Sequence, residues 1–162
     1  MRLLWLTAIL AFLIDQVTKY AVIYGLDLLH VGVVDVVPPF LRFVTAWNRG
    51  VNFGLFAADS DVGRWALIGL ALAISAALLV WARRKRGDAW FLFGAGLVVG
   101  GAIGNVVDRV RFGAVFDFLN MSCCGIANPY VFNVADVAIF AGAAVLIFFS
   151  GDRRDEDGGA KA

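Results

Sequence analysis

The chain has 162 residues, of which 61% are hydrophobic and 17% charged, and its formal net charge is +1. Soluble domains carry about half apolar and about a quarter charged residues, so this composition points to one membrane-embedded domain. The near-zero net charge excludes the electrostatic footprint of a nucleic-acid-binding surface, and the adjacent pair Cys123 and Cys124 supplies neither a disulfide framework nor the spaced ligands of a zinc site.

The first apolar segment covers residues 3–25, preceded by Arg2. It opens like a secretory signal but lacks a small-x-small cleavage site, and its apolar character resumes beyond Lys19. It therefore reads as a retained span of about 20 residues. Within it Asp15 and Lys19 stand four apart on one helical face, a spacing that lets a salt bridge lower the cost of burying both. An acid this deep also faces a bundle interior or a cavity.

Residues 26–63 fall in hydropathy and are broken by Pro38, Pro39, Asp59, Ser60 and Asp61. The β-branched and aromatic run LRFVTAWN, closed by Gly50, predicts a small extended platform at the membrane surface. His30 lies in this loop without a second ligand at metal spacing, so it reads as a solvated or interfacial histidine.

Residues 64–82 form an uninterrupted apolar run with tryptophan at each end, a second span with a packing role. The basic cluster Arg83, Arg84, Lys85 and Arg86 follows and marks the cytoplasmic side. In the third span, residues 90–107, Gly96, Gly100 and Gly104 recur every fourth position and make a ridge for close helix approach. Gly101, Asn105 and Asp108 or Arg109 form a polar stripe beside it. Asp108 and Arg109 are expected at the outer helix end, as an ion pair or a snorkelling arginine. A mixed loop over residues 108–131 leads to a fourth span, 132–149, and residues 151–162 read as a disordered polar tail. The expected fold is an all-α integral membrane domain over residues 1–150. It has four transmembrane helices, both termini cytoplasmic, and a small β platform in the first outer loop.

This topology brings Asp117, past the third span, and Asp136, in the first turn of the fourth, to the outer face. Two carboxylates at hydrogen-bonding distance in a low-dielectric site share a proton, so one can activate water while the other donates to a carbonyl. That chemistry requires no metal and no other cofactor. Other readings remain open: Asn133 and Asp136 have capping-box spacing, Asp117 fits a solvated loop acid, and a proton-coupled transporter or channel subunit uses such acids as proton carriers.

The segments DQVTK (15–19), NRGVNFG (48–54), GGAIGNVVDR with VFDF (100–118) and FNVADVAI (132–139), in this order, resemble the lipoprotein signal peptidases, or signal peptidase II. The resemblance covers nearly the whole chain except its polar tail. It implies a multi-pass aspartyl endopeptidase of the bacterial inner membrane, active near the outer face. Its substrates would be diacylglyceryl prolipoproteins, cut before the lipid-modified cysteine, with membrane lipid as neighbour, no nucleic acid, and a monomeric state. Motif by motif it implies Asp117 and Asp136 as the catalytic pair. Asp15, Asn48, Asn105, Asp108, Arg109, Asn133 and Ala135 match positions that shape the site. Arg49 and Asn52 depart slightly from the second motif. Residues 41–57 are expected to clamp the peptide, with Asn48 and Asn52 bonding its backbone. Of the two candidate partners for Asp136, Asp117 is preferred because Arg109 and Asn105 flank Asp108 and suit a structural network.

Overall fold

The computed structural model describes residues 1–50, 61–122 and 128–150. Cys123, Cys124, the tail over 151–162 and Asn52 lie outside the described residues.

Helix α1, Arg2–Tyr20, continues through a π-helical turn, Ala21–Gly25, and a short helix α2, Leu28–Val31, follows. Strands β1, Val33–Val37, and β2, Leu41–Asn48, precede helices α3, Asp61–Arg84, and α4, Ala89–Phe112. Strand β3, Val115–Met121, and helix α5, Val134–Phe149, complete the chain.

Three apolar segments, Arg2–Gly25, Asp61–Arg84 and Ala89–Phe112, are each 24 residues long. At about 1.5 Å per residue each reaches about 36 Å, more than a hydrocarbon core of about 30 Å. Helix α5 is more apolar still but has 16 residues, about 24 Å.

Helix α4 runs five residues past its expected end at 107, so Asp108 and Arg109 lie inside it. Nothing between Val107 and Phe112 breaks a helix; Gly113, at φ 76°, is the first residue able to take the left-handed cap, and its N–H bonds Arg109 O at 3.0 Å. At the other end Asp88 accepts from Phe91 N at 2.9 Å.

Helix α4 is the centre of the bundle and packs against α1, α5 and α3. The expected glycine ridge faces α1. A Cβ on Gly96 would stand 2.7 Å from Leu4 O, one on Gly100 would collide with the Ala8 carbonyl, and one on Gly104 would stand 2.7 Å from Asp15 Oδ2. A second seam faces α5, where a Cβ on Gly101 would lie 2.5 Å from Ala135 O and one on Gly142 2.6 Å from Gly94 O. Helix α3 is more peripheral, with Trp65, Leu70, Ile74 and Trp81 exposed as lipid-facing side chains are.

The sheet is antiparallel in the order β1-β2-β3, so the platform is not confined to the first outer loop, and the fold is mostly helical rather than all-α. Strand β3 falls in the segment expected to be a loop. It is buried along nearly its whole length and carries a near-continuous apolar run without the alternation that marks a half-exposed strand. Its free edge bonds Phe132 reciprocally, Leu119 N to Phe132 O at 2.8 Å and Phe132 N to Leu119 O at 3.0 Å. Phe116 and Phe118 pack with Val22, Ile23 and Leu28, which seats the sheet on the end of α1. His30 is exposed and pairs with Asp27, Nδ1 to Oδ1 at 2.6 Å; that hydrogen bond and charge raise its pKa.

The two kinds of glycine separate experimentally. Gly69 on α3 has nothing near a prospective Cβ, so Gly69→Ala should stabilise the protein by up to about 1 kcal/mol through helix propensity. Gly100→Ala gains the same propensity but forces a methyl into the α1 backbone, an overpacking cost of about 1–3 kcal/mol. Thermal unfolding in detergent should move upward for the first variant and downward for the second; equal shifts would contradict the close α1–α4 seam.

Candidate active site

Four elements converge where the sheet meets the bundle. Strand β3 presents Asp117, paired in register with Ala46 of β2, and the end of β2 presents Asn48. Helix α4 supplies Asn105, and the first turn of α5 supplies Asp136 behind its cap Asn133.

Backbone N–H groups orient the amides of Asn133 and Asn48, and Asn133 in turn orients Asn105. Asn133 Oδ1 accepts from Asp136 N at 2.9 Å, the cap that starts α5, so its Nδ2 must face the other way. That Nδ2 donates to Asp117 Oδ1 at 2.6 Å and to Asn105 Oδ1 at 3.2 Å. Asn105 is thereby turned so that its own Nδ2 donates to Asp136 Oδ1 at 2.9 Å. Asn48 Oδ1 accepts from Gly50 N at 3.1 Å, leaving its Nδ2 to donate to Asp117 Oδ2 at 3.1 Å. Asp136 Oδ2 accepts from Asn133 N at 3.3 Å, so the capping box and the contact network use the same atoms. Asp117 and Asp136 are thus bridged by Asn133 and Asn105, and each carboxyl oxygen of both has an N–H donor.

Asp117 is 2% exposed. Burial, and after it the neighbouring charge of Asp136, push its pKa from the ordinary 3.8 to about 6, against the Asn48 and Asn133 donors that favour the carboxylate. Its contribution to stability is therefore fullest below pH 3.8 and is lost as pH rises through about 6.

The other acids form a separate cluster. Lys19 Nζ lies 2.9 Å from Asp15 Oδ2 and 2.7 Å from Asp108 Oδ2, with all three residues buried. Gln16 donates to both acids, at 3.0 and 3.3 Å. Asp108 also accepts from Phe116 N at 3.2 Å and so anchors the residue before Asp117. Asp15 Oδ1 accepts from Ala135 N at 2.9 Å, a second acceptor at the N-terminus of α5. Ala135 itself is fully buried, with its carbonyl against Gly101. The expected Asp15–Lys19 pair is present, but the cation bound to Asp108 is Lys19 rather than the adjacent Arg109. Consecutive helical residues point about 100° apart, so Arg109 turns instead to the cavity.

That cavity, about 450 Å³, is lined by Asn48, Arg49, Leu67, Arg109, Asp117 and Tyr130 among others. Asp136 is half-buried and is joined to Asp117 through Asn105 and Asn133. Arg109 Nη1 reaches Asn105 O at 3.5 Å, and its buried Nε has no hydrogen-bond partner among the described residues. Asn52 falls outside the described residues. Gln16, Leu67 and Tyr130 carried no individual signal in the sequence, because only the folded chain brings them to the site.

The chain matches the family described as "Signal peptidase (SPase) II" over residues 7–150. It is 45% identical over 141 residues to a lipoprotein signal peptidase of Methylobacterium sp. (strain 4-46), covering 87% of this chain and 84% of that one. It is 42% identical over 152 residues to that of Rhodopseudomonas palustris (strain ATCC BAA-98 / CGA009), covering 92% of each. A solved bacterial membrane enzyme superposes with a TM-score of 0.73 at 26% identity, covering 97% of this chain and 93% of its own.

Two measurements test the site geometry. Infrared titration of the Asp117 carboxyl should show its pKa falling from about 6 in the Asp136→Asn variant, since one of the two causes that raise it is removed; an unmoved value means the two carboxyls do not sense each other. Lys19→Met strands two buried carboxylates, and breaking such a pair costs about 3–5 kcal/mol. Its unfolding midpoint should fall sharply, and Asp108→Asn in the same chain should recover part of the loss.

Proposed function

The chain belongs to the signal peptidase II family, and on that premise we propose that Asp117 and Asp136 are its catalytic pair. It is an aspartyl endopeptidase of the bacterial inner membrane that removes the signal peptides of lipoproteins. The observation that carries the proposal is the asparagine bridge from Asp117 through Asn133 and Asn105 to Asp136. The proton-carrier reading, open on the residues alone, is not favoured by this family membership.

The two acids differ in a way that assigns roles. Asp136 sits in the first turn of α5, where its two oxygens accept from Asn105 Nδ2 and Asn133 N. Asp117 is almost wholly buried and has the raised pKa. Substrate covering the cavity removes more water and raises it further. Asp136 then takes a proton from water as the hydroxide oxygen attacks the scissile carbonyl, and Asp117 donates its proton to the carbonyl oxygen. Collapse of the tetrahedral diol returns that hydroxyl proton to Asp117, while Asp136 passes its proton to the leaving amine. Water is consumed, one C–N bond breaks, and both acids return to their starting states. Arg109, on the cavity wall with an unpartnered Nε, adds positive potential where the oxyanion develops.

The domain is read as residues 1–150 with four membrane crossings and both termini cytoplasmic. The basic cluster Arg83 to Arg86 at the α3–α4 turn supports the cytoplasmic assignment of that end. Helix α5, shorter than the hydrocarbon core, is accommodated by local thinning. The sheet and the acid pair then lie at the outer face, where a diacylglyceryl prolipoprotein presents the bond before its lipid-modified cysteine.

Asp117→Asn and Asp136→Asn should each fold and lose cleavage of a diacylglyceryl prolipoprotein by about a thousandfold or more, with wild-type activity unchanged by a strong chelator. Retained cleavage in both variants sinks the pair, and zinc-reversible inhibition sinks the metal-free scheme. An inactive but folded Asp108→Asn beside an active Asp117→Asn means the wrong acid was assigned.

A further inference from the structure

The segment returning from β3 to α5 holds a set of hydrogen bonds that the acid pair does not use. Asn120, 8% exposed, donates from Nδ2 to two backbone carbonyls, Asn128 O at 2.8 Å and Tyr130 O at 3.0 Å. Asn128 in turn donates its N–H to Ser122 Oγ at 3.1 Å and accepts from Tyr130 N through its own Oδ1 at 3.0 Å. Residues 128–130 belong to no helix or strand, so these side-chain bonds do what a ladder would otherwise do. Tyr130, whose backbone N–H and carbonyl they hold, is itself 76% exposed. Pro129, Tyr130 and Val131 form one wall of the cavity that Asp117 and Arg109 also line.

A buried amide bonded to two carbonyls is a strong local restraint, and an exposed aromatic ring contributes little to folding in return. Carried on a restrained backbone beside the cavity, the same ring offers a large contact area at small entropic cost to whatever enters. We propose that Tyr130 is the aromatic wall against which the apolar signal-peptide segment packs beside the scissile bond, and that Asn120 is the positioning residue holding it there. The proposal rests on the reading of Asp117 and Asp136 as the catalytic pair, since it takes their cavity to be the peptide site. The ring meets the peptide equally in ground and transition states, so its loss raises KM and leaves kcat in place.

The test is steady-state cleavage of a diacylglyceryl prolipoprotein in detergent, with the unfolding midpoint of each variant recorded. Tyr130→Ala should raise KM about tenfold, the upper range for one aromatic contact, with kcat within about twofold. Tyr130→Phe should behave as the wild type. Asn120→Ala should raise KM similarly, and the double variant should be no worse than Tyr130→Ala alone, because Asn120 acts through the ring. Additive KM effects, a kcat loss with KM unchanged, or an unaltered KM in Asn120→Ala each overturn the assignment. If Asn120→Ala does not fold, Tyr130→Ala decides, and an unaltered KM there overturns it. Failure of the catalytic-pair reading shows separately, as cleavage retained by Asp117→Asn and Asp136→Asn.

Discussion

A carboxylate buried away from water persists only where hydrogen-bond donors replace the water it has lost. In this protein the amide of Asn133 meets that need for Asp117, and its orientation is set by the Asp136 N–H in the first turn of helix α5. The start of that helix, the aim of Asn133, the turn of Asn105 and the bonding of Asp136 follow from one another with a single polarity. Replacing Asn133 removes a donor from Asp117 and at the same time releases Asn105, which holds Asp136.

The molecule uses two different solutions for its buried acids. Asp15 and Asp108 are paired by an ammonium, Lys19, which neutralises charge and binds α1 to α4. Asp117 and Asp136 are held by amides, which fix geometry without cancelling charge. Repulsion between the second pair therefore survives and helps to lift Asp117 to about 6. The clusters touch through backbone: Asp108 accepts from Phe116 N and Asp15 from Ala135 N, each one residue from a member of the proposed pair.

None of these bonds forms unless helices approach closely. Gly101 lies under the Ala135 carbonyl, and that distance lets Asn105, one turn further along α4, reach Asp136 on α5. Gly104 makes room for the Asp15 carboxylate in the same way on the other side. Apolar packing between helices gains little in lipid, so small residues and polar contacts carry the association.

The long apolar spans, the glycine ridge, the Asp15–Lys19 pair and the capping box at Asn133 are legible in the residue order, because each rests on local spacing of residue types against a membrane or a helix. Ordered motifs around Asp117 and Asp136 also pointed to the family. Only the tertiary structure decided that VFDFLNM is a strand, since burial of both faces erases alternation, and that α4 continues to Phe112. It alone gave Asp108 to Lys19 rather than to Arg109, oriented the three asparagines, and set Tyr130, its carbonyl bonded by Asn120, at the cavity. Those relations join residues far apart in the chain, and a contact between distant residues leaves no period or local pattern in the sequence from which it could be read.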